Sequence, residues 1–274
     1  MQSNDTLDQR FASIQRVYGI HQSHYIRRMH VCVIGLGGVG SWAAEALART
    51  GVGALTLIDF DVISVGNINR QSHALSSTIG QKKGAVTQAR MRDIHPGCVV
   101  IAIDDFVTTR TMAEYLAPDR GYDCVIDAID SIKFKSEIIV HCRRNKIPII
   151  TTGGAGGTSD PTHIRVADLS RTWNDPLAAR VRARLRKNYG YTSNPKRRFG
   201  VECVFSTQQR VYATADGEVC NEKPGIHGVS LDCRSGYGSV SFVTAVFGFI
   251  AAARAIEKVL AQRRRLATSG AEIR

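Results

Sequence analysis

The chain has 274 residues, of which 43% are hydrophobic and 22% are charged, so it can bury a core and is not a disordered segment. Its net charge of +12 favours an acidic partner such as tRNA, a nucleotide or an anionic membrane over a basic one. The seven cysteines form no C-x-x-C pair and follow no secretory signal. We therefore expect reduced thiols in a cytoplasmic protein, and neither a zinc ribbon nor a membrane span.

Apolar strands alternate with helix-like stretches from residue 29 to about residue 154, which is typical of a parallel sheet covered on both faces. The predicted strands are His30–Gly35, Ala54–Asp59, Cys98–Phe106, Tyr122–Asp127 and Ile147–Thr152. The predicted helices are Ser41–Arg49, Gln81–Ile94 and Ser131–Lys146. Right-handed crossovers then give a doubly wound, Rossmann-like α/β fold, whose ligand crevice lies beyond the carboxyl ends of the strands.

The second half of the chain is richer in turns and is expected to extend the same domain. Short antiparallel strands are predicted at Thr162–Asp168 and Arg210–Ala213, and Asp175 is the predicted N-cap of a helix that starts at Pro176. A last helix is predicted from Val240 to about Leu260. It is too short and too interrupted to span a bilayer, so we expect a buried helix, with membrane contact or a dimer seam as the alternatives.

A glycine-rich turn follows the first predicted strand. Gly35, Gly37, Gly38 and Gly40 stand between this strand and a helix, and Asp59 ends the next strand 19 residues after Gly40. Glycines let backbone N–H groups approach phosphate oxygens, while the carboxylate can accept hydrogen bonds from ribose. The motif predicts an adenosine-containing ligand without separating NAD from ATP.

The segment after Asp59 favours ATP. A triphosphate cleaved at its α-phosphorus needs cations on the departing pyrophosphate, and Arg70 and Lys83 are placed to supply them. Asp127 and Asp130 follow the fourth strand on the same rim, where one carboxylate can hold Mg²⁺. The alternative for these residues is that Arg70 and Lys83 are solvated surface cations and Asp130 is a helix N-cap.

Over about residues 10–157 this array resembles the adenylating domain of the ubiquitin-activating-enzyme superfamily, the ThiF/MoeB type. The resemblance rests on GLGGVG, LIDFD, the Asn-x-Asn-Arg-Gln loop, GQKK and DAID. It implies that Asp59 binds the ribose, that Arg70, Lys83 and Asp130 are catalytic, and that Asp130 holds Mg²⁺. The nucleotide-binding residues it implies are Gly35, Gly37, Gly38, Gly40, Asp59, Asp61, Asn67, Asn69, Arg70, Gln71, Lys83, Asp127, Asp130 and Ser131.

Two departures from that family narrow the branch. Its members that activate sulphur carriers usually have two C-x-x-C zinc pairs, which this sequence lacks. Their N-terminal arginine finger lies in an Arg-Tyr-x-Arg-Gln run, which this chain lacks. The candidates at that place are Arg10 and Arg16, and the expected finger acts across a dimer.

The remainder closely resembles a zinc-free branch, the tRNA threonylcarbamoyladenosine dehydratases. The resemblance rests on SWAAEALARTG, DDFVT, VIDAIDS, CRRNKIPIITTGGAGG, DPLAAR, CVFST and VTAVFGF. It implies that ATP adenylates the threonyl carboxylate of the modified base beside the anticodon, after which ring closure expels AMP. It also implies a homodimer and a cysteine desulfurase with a sulphur acceptor as partners. The alternatives are adenylation of the C-terminal Gly-Gly of a ubiquitin-like sulphur carrier, a nucleotide-sensing scaffold and an NAD oxidoreductase.

On this basis the chain is one adenylating domain with three parts: an N-terminal helical arm (1–28), a nucleotide-binding core (29–157) and a part for substrate, tRNA and dimerisation (158–274). Residues 180–198 hold eight Lys or Arg and no acid, which predicts a tRNA contact, with a solvated helix face as the alternative. The candidate tRNA-binding residues are Arg180, Arg184, Arg186, Lys187, Lys196, Arg197 and Arg198. Cys233 is the candidate for a covalent or positioning thiol, with a packed or exposed loop cysteine as the alternative.

Overall fold

The computed structural model describes residues 9–214, 217–221 and 237–268, with side chains up to residue 266. Within these ranges the strands are β1 (His30–Ile34), β2 (Ala54–Ile58), β3 (Val99–Ile103), β4 (Cys124–Asp127), β5 (Ile149–Thr152), β6 (Ile164–Asp168), β7 (Glu202–Ser206), β8 (Tyr212–Ala213) and β9 (Val219–Cys220). The helices are α1 (Ala12–Tyr18), α2 (Ile20–Ile26), α3 (Gly40–Arg49), α4 (Lys83–Ile94), α5 (Met112–Tyr115), α6 (Ile132–Arg144), α7 (Pro176–Tyr189) and α8 (Ser241–Thr268).

Seven strands form one sheet in the order β3-β2-β1-β4-β5-β7-β6, and β8 pairs with β9 in a separate small sheet. Strands β1 to β5 and β7 are parallel, whereas β6 runs antiparallel to β7. The predicted doubly wound, mostly parallel sheet is therefore confirmed. The carboxyl ends of β1, β2, β4 and β5 meet at one edge, as the crossovers require.

Both faces of the sheet are covered, which explains why its strands read as continuous apolar runs. In β1, Val31 and Val33 point into the core formed with α3 and α8, while Cys32 and Ile34 point into the core formed with α6 and α7. This alternation is the period-two geometry of a strand. All four side chains are almost completely buried.

Several predicted boundaries were wrong by a few residues. Strand β3 ends at Ile103 rather than Phe106, because the Asp105 carboxylate accepts hydrogen bonds from the Phe106 N–H and the Tyr115 hydroxyl and turns the chain. Helix α4 begins at Lys83 rather than Gln81, since Lys82 is still extended. The Asp175 N-cap is confirmed: its carboxylate accepts the Ala178 N–H at 2.9 Å.

The C-terminal helix α8 is longer than the predicted segment and is buried along one side. Phe247, Ala251 and Ile256 are at most 2% exposed. Gly248 lies so close to α3 that a Cβ there would stand 2.5 Å from the Val39 carbonyl oxygen. The predicted buried helix is confirmed, and none of the described helices has the length and apolarity needed to cross a bilayer.

Five cysteines are buried as thiols: Cys32, Cys98, Cys124, Cys142 and Cys203. Burial raises the pKa of each, to about 11 for Cys98 and about 12 for Cys124. A thiol that stays protonated is a poor nucleophile, so these five are packing residues. Cys233 lies outside the described residues.

Candidate active site

The glycine turn connects β1 to the amino end of α3. Gly35 has a φ of +85°, and a Cβ built on Gly40 would lie 1.8 Å from the Gly35 carbonyl oxygen. Only glycine therefore permits the turn at these two positions. A Cβ on Gly37 would meet nothing within 4 Å, so there is open space above the turn, where a phosphate can approach the N-terminus of α3.

Asp59 lies beside this turn, directly after β2. One carboxylate oxygen accepts the Leu36 N–H at 2.5 Å and the other accepts the Asp61 N–H at 2.9 Å. Burial raises the pKa of Asp59, against the lowering effect of these hydrogen bonds and of the Lys83 charge. Each carboxylate oxygen has more than one acceptor position, so Asp59 keeps capacity for ribose hydroxyls.

Arg70 approaches the glycine turn from the opposite side. Its Cγ lies 3.3 Å from the position that a Cβ on Gly38 would take. Its guanidinium donates hydrogen bonds to the Gly66 carbonyl at 2.7 Å and to Asn69 Oδ1 at 3.0 Å. The Arg70 carbonyl accepts the indole N–H of Trp42 at 2.9 Å, which ties the loop to α3.

The two asparagines of the same loop hold its shape. Asn67 accepts the Ser64 N–H at 3.0 Å, and Asn69 donates to the Ser239 carbonyl at 2.7 Å. The second contact joins the loop to the segment before α8, far along the chain.

Lys83 is the first residue of α4 and is buried, with its Nζ 2.8 Å from an Asp61 carboxylate oxygen. It is close enough to Asp59 for its charge to act on the pKa of that group. Arg70 beside the glycine turn and Lys83 beside Asp59 thus lie on the same carboxyl edge of the sheet. Asp130 follows β4 at this edge and is exposed, next to Ser131 at the start of α6.

The structure corrects the position of Asp127. Its carboxylate is completely buried inside β4, where it binds Lys135 Nζ at 2.8 Å and accepts the Thr151 hydroxyl at 2.7 Å. Both partners lie inside the fold, so Asp127 does not reach the rim where it was expected to meet a nucleotide or Mg²⁺. Its pairing with Lys135 instead joins α6 to β4 and β5.

Four side-chain atoms in the residues after Arg70 are buried without hydrogen-bond partners among the described residues. They are Oε1 of Gln71, Oγ of Ser72 and both ring nitrogens of His73. Burial, together with the charges of Lys83 and Arg90, lowers the pKa of His73 to about 4. Sequence reasoning assigned no role to His73, although it stands two residues after the Asn-x-Asn-Arg-Gln loop.

The predicted tRNA-binding residues divide between α7 and the loop before β7. Arg180, Arg186, Lys187 and residues 196–198 are exposed, whereas Arg184 is partly buried, 3.8 Å from a Glu137 carboxylate oxygen. Arg186 lies over the Phe199 ring at 5.5 Å.

Two arginines that sequence reasoning did not select, Arg143 and Arg144, end α6 beside this loop. Together with Arg198, Tyr189 and Tyr191 they line a cavity of about 360 Å³. We call Arg143, Arg144, Arg186 and Arg198 the cationic surface. In the sequence these two arginines were visible only as part of the basic CRRNK stretch. That stretch lies near residues 180–198 only in the folded chain, so the sequence alone did not connect them.

Arg10, the first candidate for the arginine finger, lies far from the nucleotide site of its own chain. The Arg10 guanidinium donates to the Ile94 carbonyl at 3.0 Å, at the end of α4 opposite to Lys83, roughly 17 Å away along the helix.

A doubly wound sheet, a glycine turn at a helix N-terminus and an adjacent acid define a nucleotide-binding α/β protein. The ThiF family model matches residues 10–272, and the chain belongs to the ThiF family.

The chain is 50% identical to the tRNA threonylcarbamoyladenosine dehydratase of Escherichia coli, over 96% of this chain and 97% of that protein. It is 49% identical to the protein of that name from Haemophilus influenzae, over 94% and 96%. The crystal structure of the Escherichia coli enzyme in complex with ATP superimposes with a TM-score of 0.85 at 47% identity, covering 96% of this chain and 98% of that one.

Proposed function

We propose that this protein uses ATP to dehydrate threonylcarbamoyladenosine next to the anticodon of tRNA. The observation that carries this proposal is the placement of Asp59 and Arg70 beside one glycine turn, with Lys83 next to Asp59. Similarity over nearly the whole length to enzymes named for this reaction supports the choice of substrate.

The chemistry assigned to these residues is carboxylate activation. The turn at Gly35 to Gly40 binds phosphate oxygens through its N–H groups, and Asp59 accepts the ribose hydroxyls. The threonyl carboxylate attacks the α-phosphorus, and the bond to pyrophosphate breaks. Arg70 and Lys83 stabilise the charge that develops on the departing phosphates.

The second step needs no enzyme nucleophile. A nitrogen of the modification attacks the acyl carbon, AMP leaves with the electron pair of the broken C–O bond, and the nitrogen loses its proton. The net change is the loss of one water from the base. Proximity within one substrate replaces a catalytic cysteine, in keeping with the five buried, protonated thiols.

Asp130 is the residue we assign to Mg²⁺. Magnesium binds through one or two carboxylates together with substrate phosphates and waters, and the exposed carboxylate of Asp130 at the end of β4 fits that demand. The metal, when bound, neutralises charge on the triphosphate. The described residues hold no group of three or more His, Cys, Asp or Glu that could form a metal site of their own.

We further propose a cytoplasmic homodimer. Exposed apolar side chains lie in the loop after β2 and on α8, among them Val65 at 68% and Phe249 at 44% exposure. Trp42 connects these regions, since its N–H donates to the Arg70 carbonyl and its ring makes an edge-to-face contact with Phe249 at 5.8 Å. We assign the arginine finger in such a dimer to Arg10 or Arg16 of the second copy, in keeping with the distance of Arg10 from the site of its own chain. A desulfurase and sulphur acceptor as partners remain a prediction.

The test is mass spectrometry of tRNA nucleosides after incubation with ATP and Mg²⁺. We expect the wild-type protein to remove one water from threonylcarbamoyladenosine. Lys83→Ala and Asp130→Ala should each lower this activity by about 100-fold or more, since one lost charge-stabilising group commonly costs that much. Lys82→Ala is the matched control: Lys82 is partly exposed, with its Nζ 3.1 Å from Asp104 and 2.9 Å from the Phe60 carbonyl, and its loss should change activity by less than about threefold.

Wild-type turnover in both Lys83→Ala and Asp130→Ala would refute the roles assigned to them. Pyrophosphate exchange stimulated by a ubiquitin-like sulphur carrier, and not by modified tRNA, would favour the alternative of Gly-Gly adenylation. Nucleotide binding without any turnover would favour a sensing scaffold.

A further inference from the structure

A second cavity, of about 320 Å³, lies beyond the carboxyl end of β5, between the start of α7 and the segment that leads into β8. Its polar lining includes Asn174, Arg182, Gln209, Arg210 and Tyr212, and its apolar lining includes Pro176 and Ala179. None of these residues belongs to the nucleotide site or to the cationic surface. The volume suits a small organic group rather than a bare ion.

Arg182 is the unusual member of this lining. Its guanidinium is partly buried and bonds the Thr172 hydroxyl, but no carboxylate lies within ion-pair distance of it among the described residues. Burial and the neighbouring Arg186 lower the pKa of Arg182, against the raising effect of the charge on Asp175, which also lines the cavity. A partly desolvated cation without an acidic partner is costly unless something polar fills the space beside it.

Arg210 closes the inner wall of the cavity and is 5% exposed. It lies 3.4 Å from Asp175 and donates to the carbonyls of Gly154, at 2.7 Å, and Gly156. Its Nε has no hydrogen-bond partner among the described residues. The buried Asp175 balances this charge. Among the described residues, Arg182 is therefore the lining cation that has no carboxylate within ion-pair distance, and it lies beside amide and phenol groups.

Contacts connect this wall to the nucleotide site. The Gly153–Gly157 turn that Arg210 holds follows β5, and β5 lies two strands from β1, a separation of roughly 10 Å. The Gly157 N–H donates to the Gly238 carbonyl, and the next carbonyl, that of Ser239, accepts the Asn69 amide of the phosphate loop. The wall of the cavity is therefore connected to the phosphate loop by a short series of hydrogen bonds.

We propose that this cavity binds the modified adenine of the tRNA as a flipped-out nucleoside, an inference that rests on the proposed function. The amides of Asn174 and Gln209 offer donors and acceptors for the base edge and the ureido group, although one Asn174 N–H already donates to the Thr207 carbonyl at 3.0 Å. Arg182 donates to the oxygens of the ureido group. The Tyr212 ring, tilted by 41° against the Tyr237 ring with the centroids 5.2 Å apart, supplies a planar wall, as unstacked RNA bases require. The threonyl carboxylate then extends past the glycine turn to the α-phosphorus. A phosphate-only site would not need two amides and a tyrosine.

The experiment compares the affinities of wild type and variants for two tRNAs, one with and one without threonylcarbamoyladenosine, at fixed salt. Wild type should prefer the modified tRNA. Arg182→Gln should weaken binding of the modified tRNA by about tenfold or more, as expected for a hydrogen bond from a charged group, and leave the affinities for unmodified tRNA and ATP unchanged. Gln209→Ala, at an exposed loop position, should weaken the modified tRNA by a smaller factor without a risk to folding. Arg171→Gln, an exposed arginine outside the cavity, is the control.

The outcomes separate this inference from the proposed function. If wild type dehydrates the base but both cavity variants keep the wild-type preference for modified tRNA, the cavity does not bind the nucleoside. If wild type neither prefers nor dehydrates modified tRNA, the proposed function itself fails. If Arg182→Gln weakens both tRNAs equally, Arg182 contacts the tRNA backbone and the inference is likewise overturned.

Discussion

His73 shows how strongly single residues at this site are adjusted by their surroundings. It is 1% exposed, beside Lys83 and Arg90, and neither ring nitrogen has a partner among the described residues. Charging this ring would add a cation to a buried region that already contains Lys83. The imidazole therefore stays neutral and adds no further positive charge to that of Lys83 and Arg70 at this site.

The buried histidine predicts a specific pH dependence of stability. Because the pKa of His73 falls to about 4 from its ordinary 6.5, the unfolded chain binds one more proton than the folded chain between these values. The free energy of unfolding should thus fall as the pH is lowered from 6.5 to 4, by roughly 3 kcal/mol from this group. His73→Gln should remove that part of the slope, measured by urea denaturation across this range.

The slope, not the stability at one pH, is the readout, since His73→Gln can change packing at every pH. His21→Gln, at an exposed position of α2, serves as the control. A slope in His73→Gln equal to that of wild type would mean that the folded protein protonates His73 in the normal range.

At the residue scale, the sequence predicted local relations better than distant ones. The glycine turn and Asp59 could be placed together because each directly follows a strand of the same parallel sheet. The burial of Asp127 could not be predicted, because it depends on the ion pair with Lys135 in the following helix α6. The cavity lined by Arg182 and Arg210 could not be predicted either, because it forms only when the turn-rich second half of the chain folds.

At the element scale, the cationic surface is formed where α6 and α7 end near the loop before β7. Helices α6 and α7 share the core of one sheet face through residues such as Ile139 and Val181, so their charged ends are held together. This packing explains why Arg143 and Arg144 join a cluster that is distant in sequence.

Reversing charge on this surface should weaken tRNA binding in a salt-dependent way. In Arg144→Glu/Arg198→Glu both sites are exposed, unlike Arg184, which pairs with Glu137. We expect about tenfold or greater loss of tRNA affinity, and a slope of log affinity against log salt that is smaller by about 2. Filter binding over a salt series measures both, and ATP affinity should not change.

Arg28→Glu/Arg92→Glu is the control, because it changes the net charge by the same amount at two exposed positions next to Ile26 and Met91, which pack on the opposite face of the sheet. Equal losses in the two double variants would show that overall charge, rather than this surface, attracts the tRNA.

Elements built from sequential neighbours were also the ones that could be predicted. The first five strands and the helices α3, α4 and α6 follow from repeated βα units with a regular rhythm. Strand β7 was missed, because it enters the sheet between β5 and β6 after a long basic stretch, and nothing local indicates those neighbours. Its Glu202 is fixed by Arg254 at 2.8 Å and Lys258 at 3.0 Å, both from α8.

At the scale of the whole molecule, the proposed dimer makes a prediction about shared sites. Arg10→Ala/Arg16→Ala and Lys83→Ala should each be inactive alone in the nucleoside assay. Mixed after reversible dissociation, they should recover about a quarter of wild-type activity, since half of the dimers then carry one complete site. Arginine fingers that act within their own chain would give no recovery. A mixture of Lys83→Ala with Asp130→Ala is the control for the mixing procedure and should stay inactive. Lys83 and Asp130 of one chain serve the same site, so every site in the mixture lacks one of them.

The close contact between Gly248 and α3 limits how the sequences of two distant segments can change during evolution. A side chain there would push against the Val39 carbonyl and, at 2.8 Å, the Ala43 nitrogen, in the first turn of the helix that faces the phosphates. Substitutions in α8 and in the glycine turn must therefore stay compatible with each other. A chimera that joins the first half of this chain to the second half of a distant relative should lose nucleotide affinity even though every phosphate-facing residue is retained.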